Sequence, residues 1–338
     1  MTKTKVLIIT DGNNEIGLGH FYRAFSLSKE LKKYGTEISF LTSNNKFLKN
    51  NLSKSGNHYT YSNNEEKDIK KIKEINPDII IIDILEKFFP YSLKFIQKLK
   101  NSCSLLTSID FEGKGLKYID LGFHTLFKPK IFYAKKSFIG FKYAILRKEF
   151  LLVRKKYNFS KTIHSLIILQ GGADTHCISP KILQSIKNIP KQVKITLVLG
   201  PMFDCHENLE KTLKPLDRKI KLIYNSKKIH NEMKKHDIAI TAAGNTLLEL
   251  MLIGIPSLII CGEKHELEIA KQVNRKKMAL NIGYGKDISK KSIEKNLIKL
   301  LDDYELRKIF HRNSKTIMDG NGTKRISQLI FKNYRKIS

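Results

Sequence analysis

With 338 residues, 41% of them hydrophobic and 28% charged, the chain has enough apolar material for two cores, which excludes a disordered or fibrous protein. Its 62 lysines and arginines against 32 acidic residues leave a formal net charge of +30, a balance that attracts phosphates, nucleic acid or an anionic membrane face. Membrane-spanning apolar runs, CxxC pairs and RNA- or DNA-reading motifs are all missing, so an integral membrane protein, a zinc ribbon and a nucleic-acid partner are disfavoured.

The first predicted element is an apolar strand, Lys5–Thr10 (KVLIIT), too short for a secretory core and followed at once by DGNNEIGLGHFYR, residues 11–23. Strand, glycine loop and helix start together aim backbone N–H groups at an anion. Gly12, Gly17 and Gly19 supply the sharp turn and close approach this needs. His20 and Arg23 fall one helical turn apart, so an imidazole that titrates near neutral pH and a fixed cation share one face. Tyr22 stands where a dinucleotide fingerprint would have its third glycine, with Arg23 following it, which argues against that motif. A histidine that merely caps the helix is the plain alternative.

After that helix ends near Leu31, residues 37–41 read as a strand and a polar Asn/Ser-rich stretch follows. The helix Glu65–Ile75 is punctuated by Pro77 before a buried strand over residues 78–83. A helix over residues 90–100 and a strand over 104–109 continue the alternation, which predicts a parallel sheet covered by helices on both faces. Asp83 and Asp110 fall just past strand ends, where such sheets keep their ligand crevice; loop-starting or capping aspartate is the competing reading.

Between residues 140 and 162 the texture turns aromatic and basic and the alternation breaks. The predicted domains are therefore residues 1–145 and 163–338, with 146–162 as a linker, two α/β halves facing a crevice. The pattern restarts with Ser165–Leu169 and turns at Gly171 and Gly172 in QGGAD. Strands follow over 193–199, Ile220–Tyr224, Ile238–Thr241, Ser257–Cys261 and 278–282, then helices over 289–315 and 323–334. In TAAGNTLLELMLIGIPSLII, residues 241–260, small residues lead into a helix beginning at Asn245 or Thr246, an N-terminus that can seat a diphosphate. Glu249 lies one turn in, as a ribose ligand or simply as an acid favouring the helix dipole. Cys103, Cys177, Cys205 and Cys261 are widely spaced and fit free thiols in a reducing cytosol. Scattered lysine pairs such as Lys70-Lys71 and Lys227-Lys228 read as solvated helix faces, and peripheral attraction to an anionic membrane stays open.

Three stretches, IGLGHFYR, YAILRKEF and AAGNTLLELMLIGIPSLII, in this order and spacing, resemble the nucleotide-sugar hydrolases of pseudaminic acid biosynthesis. Those enzymes are relatives of the lipid II N-acetylglucosaminyltransferase within the GT-B superfamily. The resemblance implies α/β GT-B architecture, two Rossmann-like domains with the nucleotide held mainly by the second. It implies that His20, the histidine of GxGH, orients or deprotonates water for attack on the anomeric carbon, with inversion and without cofactor or metal. By the same resemblance Gly17, Gly19, Arg23, Asp83, Tyr143 and Arg147 line the substrate on the catalytic side. Gly171, Gly172, Gly244, Asn245 and Thr246 match the phosphate-side loops, and Glu249 matches the ribose ligand.

Two stretches depart from that family. Ile84 and Leu85 stand where it has His-Tyr, and GEKHE, residues 262–266, stands where it has Asn-Gln. Both departures fall on the sugar side, so the sugar is open; Lys264 and His265 either replace the lost contacts or are solvent-exposed. The expectation is a cytoplasmic monomer that removes UDP from a UDP-linked diacetamido-trideoxy hexose. The alternatives are a GT-B glycosyltransferase with a membrane-associated acceptor and a nucleotide-sugar binder without catalysis.

Overall fold

The computed structural model describes residues 3–13, 17–62, 64–85, 89, 91–125, 128–131 and 133–337. Asn14, Glu15 and Ile16 of the first glycine loop, and the predicted helix start at Pro90, lie outside the described residues. The chain divides into two units, Met1–Arg147 with Gly320–Ser338, and Lys148–Asp319.

In the first unit the strands β1 (Lys5–Thr10), β2 (Glu37–Thr42), β3 (Asn57–Thr60), β4 (Ile79–Asp83), β5 (Leu105–Ile109), β6 (Leu121–His124) and β7 (Lys136–Ile139) form one parallel sheet. Their order is β3-β2-β1-β4-β5-β6-β7. Between them run α1 (Gly19–Leu31), α2 (Lys46–Leu52), α3 (Glu65–Ile75) and α4 (Leu93–Lys100). Successive side chains of a strand point to opposite faces, so a strand covered on both sides must be apolar throughout. Accordingly Val6 and Ile8 join Phe40, Ile81, Leu27 and Leu31 in one core, while Leu7 and Ile9 join Ile80, Ile82, Ile72 and Phe95 in the other.

Of the first unit's strands β3, β6 and β7 were not predicted: β6 is buried throughout but only four residues long, while β3 and β7 are the sheet's edge strands, exposed at both ends and half-buried between. The Asn-rich stretch hides α2, whose cap Asn45 accepts from the amides of Phe47 at 2.8 Å and Leu48 at 3.3 Å.

The second unit contains α5 (Lys148–Arg154), β8 (Ser165–Leu169), α6 (Ile178–Gln184), β9 (Lys194–Leu199), α7 (His206–Leu213), β10 (Ile220–Tyr224) and α8 (Ile229–Met233). It continues with β11 (Ile238–Thr241), α9 (Asn245–Ile253), β12 (Ser257–Cys261), α10 (Glu266–Arg275), β13 (Leu280–Tyr284), α11 (Lys290–Asp302) and α12 (Tyr304–Ile317). The sheet is again parallel, in the order β10-β9-β8-β11-β12-β13. The long helix expected over 289–315 is broken at Asp303, whose carboxylate accepts from the Leu306 amide at 2.8 Å and starts α12.

The division differs from the sequence-based one at both ends of the second domain. Residues expected in a linker fold as α5, and α13 (Gly322–Tyr334) belongs to the first unit, where Ile326, Ile330 and Phe331 enter the core beside Leu27 and Leu31. Tyr34 stacks on Phe331 with ring centroids 4.4 Å apart. Close docking is possible because position 322 is glycine; a Cβ there would overlap the Ala144 backbone.

One expectation is corrected outright. Cys177 and Cys205 form a disulfide with Cα atoms 5.8 Å apart, and only Cys103 and Cys261 are free. They are 28 positions apart in sequence, but the loops after β8 and β9, neighbouring parallel strands, bring them together.

Candidate functional site

From β1 the first sheet grows to β2 on one side, and it later resumes at β4 on the other. The C-terminal ends of β1 and β4 therefore flank the point where strand order reverses, the usual ligand position in such sheets. Asp11 follows β1, Asp83 ends β4 and Asp110 follows β5, all three buried. The first turn and a half of α1 brings His20 and Arg23 to this row, both also buried.

His20 Nδ1 lies 2.8 Å from Asp83 Oδ1. Arg23 Nη2 donates to the same oxygen at 2.5 Å, and Nη1 donates to Asp110 Oδ2. Asp110, with φ of 49°, also accepts from the Thr125 amide at 2.7 Å. Arg23 Nη2 is 2.9 Å from His20 Nδ1 as well, but it can donate there only if Nδ1 carries no proton. A carboxylate oxygen accepts from both neighbours, so the network assigns the Nδ1 proton to the Asp83 contact and leaves Nε2 as the basic nitrogen. Burial alone would raise the Asp83 carboxyl; the Arg23 guanidinium and His20 outweigh it and hold the group below its usual value. Burial likewise pulls Arg23 down, and the two aspartates more than reverse it. Asp83 is therefore a fixed anion behind the imidazole.

In the second sheet the corresponding reversal lies between β8 and β11. After β8, Gly171 turns at φ 75° and the Gly172 carbonyl accepts from the Met202 amide at 3.0 Å. After β11, Gly244 caps α9 with no side-chain hydrogen bond to the helix. Asn245 and Thr246 open that helix half-buried, and Glu249 is buried on it. Glu266 reaches back to this turn: its Oε2 accepts from the amides of Gly262 at 2.8 Å, Ala243 at 3.3 Å and Glu263 at 3.3 Å. Burial pushes that carboxyl up against these favourable N–H contacts. Glu263 in turn accepts from Thr175 Oγ1 at 2.8 Å and lies 3.2 Å from His176 Nε2, which ties the β8 loop to the β12 loop.

The structure thus brings His20, Arg23 and Asp83 together. Arg23 and Asp83 were expected as substrate contacts; they are instead committed to each other and to His20 and Asp110, with 3% and 0% exposure. His20 is no helix cap, because the cap residue of α1 is Leu18 and no side chain caps that end. Tyr143, also expected at the substrate, packs its ring against the stacked pair Phe123 and Phe138 in the core. The Arg147 guanidinium lies 4.9 Å from the Tyr22 ring centroid, beside α1. Gly17, at φ 73°, bridges back to Asn13, and Gly19 is the first residue of α1. Gly171, Gly172, Gly244, Asn245, Thr246 and Glu249 sit on the β8 and β11 loops and α9. Lys264 and His265 are placed at the start of α10, Lys264 exposed and His265 one residue before the helix. At the departure positions Ile84 is fully buried and Leu85 half-buried.

Asp110, singled out in the sequence by its place after a strand, completes the Arg23 clamp; two further residues were missed. Glu266 fills the turn before α10. Gln170, 5% exposed at the end of β8, buries an amide whose Oε1 and Nε2 have no partner among the described residues. No sequence pattern marks the last two. Among the described residues no group of three or more His, Cys, Asp or Glu side chains is placed to hold a metal ion.

Residues 166–330 match the glycosyltransferase family 28 C-terminal domain. The chain is 30% identical over 271 residues to an uncharacterized protein of Methanocaldococcus jannaschii, covering 76% of this chain and 55% of that one. It is 24% identical over 337 residues to the spore coat polysaccharide biosynthesis protein SpsG of Bacillus subtilis, covering 96% of each. Over 181 residues, 51% of this chain and 47% of the other, it is 29% identical to a Clostridium botulinum UDP-N-acetylglucosamine--N-acetylmuramyl-(pentapeptide) pyrophosphoryl-undecaprenol N-acetylglucosamine transferase. The structure superposes on Acinetobacter baumannii MurG with a TM-score of 0.69 and on Staphylococcus aureus MnaA with UDP at 0.66, each at 14% identity. These cover 97% and 99% of this chain, and 99% and 98% of those chains. The chain is thus a GT-B-fold protein of two parallel-sheet, Rossmann-like α/β units, whose residues 166–330 match the glycosyltransferase family 28 C-terminal domain.

Proposed function

We propose that the protein is a nucleotide-sugar hydrolase that removes UDP from a UDP-linked diacetamido-trideoxy hexose. The observation that carries this reading is the His20–Asp83 contact at the strand-order reversal of the first sheet. A histidine backed by a buried carboxylate that an arginine holds in its ionised form is built to take a proton on its other nitrogen. Nε2 of His20 accepts a proton from water as the water oxygen attacks the anomeric carbon. The bond from that carbon to the leaving oxygen breaks, UDP departs with its electron pair, and the sugar inverts.

On the second unit the amides of Gly171, Gly172, Gly244, Asn245 and Thr246 hold the diphosphate, and Glu249 holds the ribose hydroxyls. Lys264 and His265 meet the sugar from the turn before α10. UDP as the nucleotide is supported by two similar proteins, the transferase named for UDP-N-acetylglucosamine and MnaA solved with UDP. Transfer to a hydroxyl acceptor is the second reading, favoured by the family 28 match and by that transferase.

The test is purified protein with UDP-2,4-diacetamido-2,4,6-trideoxy-β-L-altrose in oxygen-18 water, without acceptor, read by mass spectrometry. Label on the released sugar is the expected result. No turnover, with UDP still bound, moves transfer ahead. His20→Asn should lower turnover about 10²-fold or more with UDP affinity unchanged; near-wild-type turnover would remove His20 from the mechanism.

A further inference from the structure

Two ties join the loops that follow β8 and β9. At the strand ends Gly200 packs so close to Gly172 that a Cβ at position 200 would overlap the Gly172 backbone, and the Met202 amide donates to the Gly172 carbonyl at 3.0 Å. Further along both loops, Cys177 and Cys205 close the same gap with a disulfide. Between the ties the β8 loop takes an uncommon path. Asp174 and Cys177 both have φ of 50°, in the left-handed region that is costly for a residue with a Cβ. Asp174 has its own support: its carboxylate accepts from the Ile178 amide at 2.8 Å and the Ser179 amide at 2.9 Å, and its carbonyl accepts from the Cys177 amide at 2.8 Å. Cys177 caps α6 without a side-chain hydrogen bond to that helix, so its conformation leans on the bridge to Cys205.

The two sulfurs are not equivalent. Cys177 is half-buried, whereas Cys205 is 7% exposed and is the N-cap residue of α7, where the unpaired N–H groups of the first turn favour a thiolate. An external thiolate therefore attacks Cys177 Sγ. The bond to Cys205 breaks, and its electron pair leaves on Cys205 Sγ, the better leaving group. The second thiol of a dithiol reductant then attacks the reductant's own sulfur in the mixed disulfide and frees Cys177. Two electrons and two protons pass from the reductant to the protein, and one disulfide becomes two thiols. The other cysteines stay out of this exchange, because burial pushes the thiols of Cys103 and Cys261 up to about 12.

We propose that Cys177–Cys205 is a thiol–disulfide switch: the bridge holds the β8 loop in the shape that presents the Gly171 and Gly172 amides, and reduction by a dithiol loosens that loop. As a control on ligand binding it rests on the diphosphate seat proposed above. Purified without reductant and alkylated after denaturation, the full-length protein should carry label on Cys103 and Cys261 alone; after dithiothreitol, on all four cysteines. In calorimetry on the folded protein, dithiothreitol should raise the UDP dissociation constant about tenfold, and Cys177→Ser should start at the raised value and ignore dithiothreitol. Hydrogen exchange should quicken on reduction at the amides of Cys177, Ile178, Ser179 and Met202, while β8 and β9 themselves stay protected.

Label on all four cysteines without reductant would overturn the inference, as would a UDP dissociation constant that dithiothreitol leaves unchanged. Exchange spreading through β8 and β9 would make the bridge a plain stabiliser of the unit and overturn it as well. If the oxidised protein binds no UDP, the nucleotide reading falls by itself, and exchange at those amides decides the rest: quickened exchange keeps the switch, and unchanged exchange removes it.

Discussion

Asp83 has no exposure, and its charge is held in place by Arg23 at 2.5 Å and His20 at 2.8 Å. Replacing one partner of such a buried pair leaves the other uncompensated, which costs about 3–5 kcal/mol. Asp83→Asn should therefore lower stability by that order. Its amide can also present an N–H to the ring and turn the His20 tautomer around. Turnover should fall about 10²-fold or more while UDP affinity stays the same, measured by calorimetry on protein checked for folding. The stability difference should carry a pH signature. A carboxyl held below its usual value contributes fully above the unfolded value, about pH 4, and loses that contribution as pH falls through the lower folded value. Melting curves of wild type and Asp83→Asn should converge only there. On the other unit, Glu249→Ala should weaken UDP binding by about 1–3 kcal/mol, the penalty for unpaired ribose hydroxyls, and an unchanged dissociation constant would remove Glu249 from that role.

Among the elements, α13 is the one whose sequence position says least about its place. It follows the second unit in the chain but completes the first unit's core through Ile326 and Ile330. Its entry depends on Gly322, where any side chain meets the Ala144 backbone. Gly322→Ala should destabilise the protein by about 1–3 kcal/mol through overpacking, read from chemical denaturation; a neutral outcome would mean that α13 shifts without loss. By contrast α1 and α9 were legible as helices that follow glycine-containing loops. Both start where a strand's C-terminal end needs a turn, and that local requirement is written in adjacent residues.

For the molecule as a whole, the two units hold buried carboxyls of opposite kind. Arg23 keeps Asp83 of the first unit low, whereas burial pushes up both Asp174 and Glu266 of the second. A carboxyl raised in the folded state binds its proton longer than the unfolded chain does, so stability falls as pH rises from about 4 through the raised value. Glu266→Gln removes that decline for one group. Its melting temperature relative to wild type should climb across this window and level off above it, and a pH-independent difference would show that Glu266 is not held high. The +30 charge weighs on wild type and variant almost equally, which is why the difference is the quantity to measure.

The sequence by itself determined the two α/β units, the parallel sheets and the strand–loop–helix starts carrying His20 and Glu249. Periodicity, glycine and proline are local signals that act through neighbouring residues. It did not determine what His20 faces, because Asp83 and Asp110 lie 63 and 87 positions from their α1 partners and meet them only when the parallel strands align. For the same reason Arg23 and Asp83 looked like ligand contacts and Tyr143 like a site residue: a charged or aromatic side chain in a motif does not state whether it turns inward. The Cys177–Cys205 bridge, the return of α13 and the buried amide of Gln170 were likewise decided by tertiary structure. Each depends on strand ends or helices far apart in sequence being packed side by side, and chain order carries no record of that.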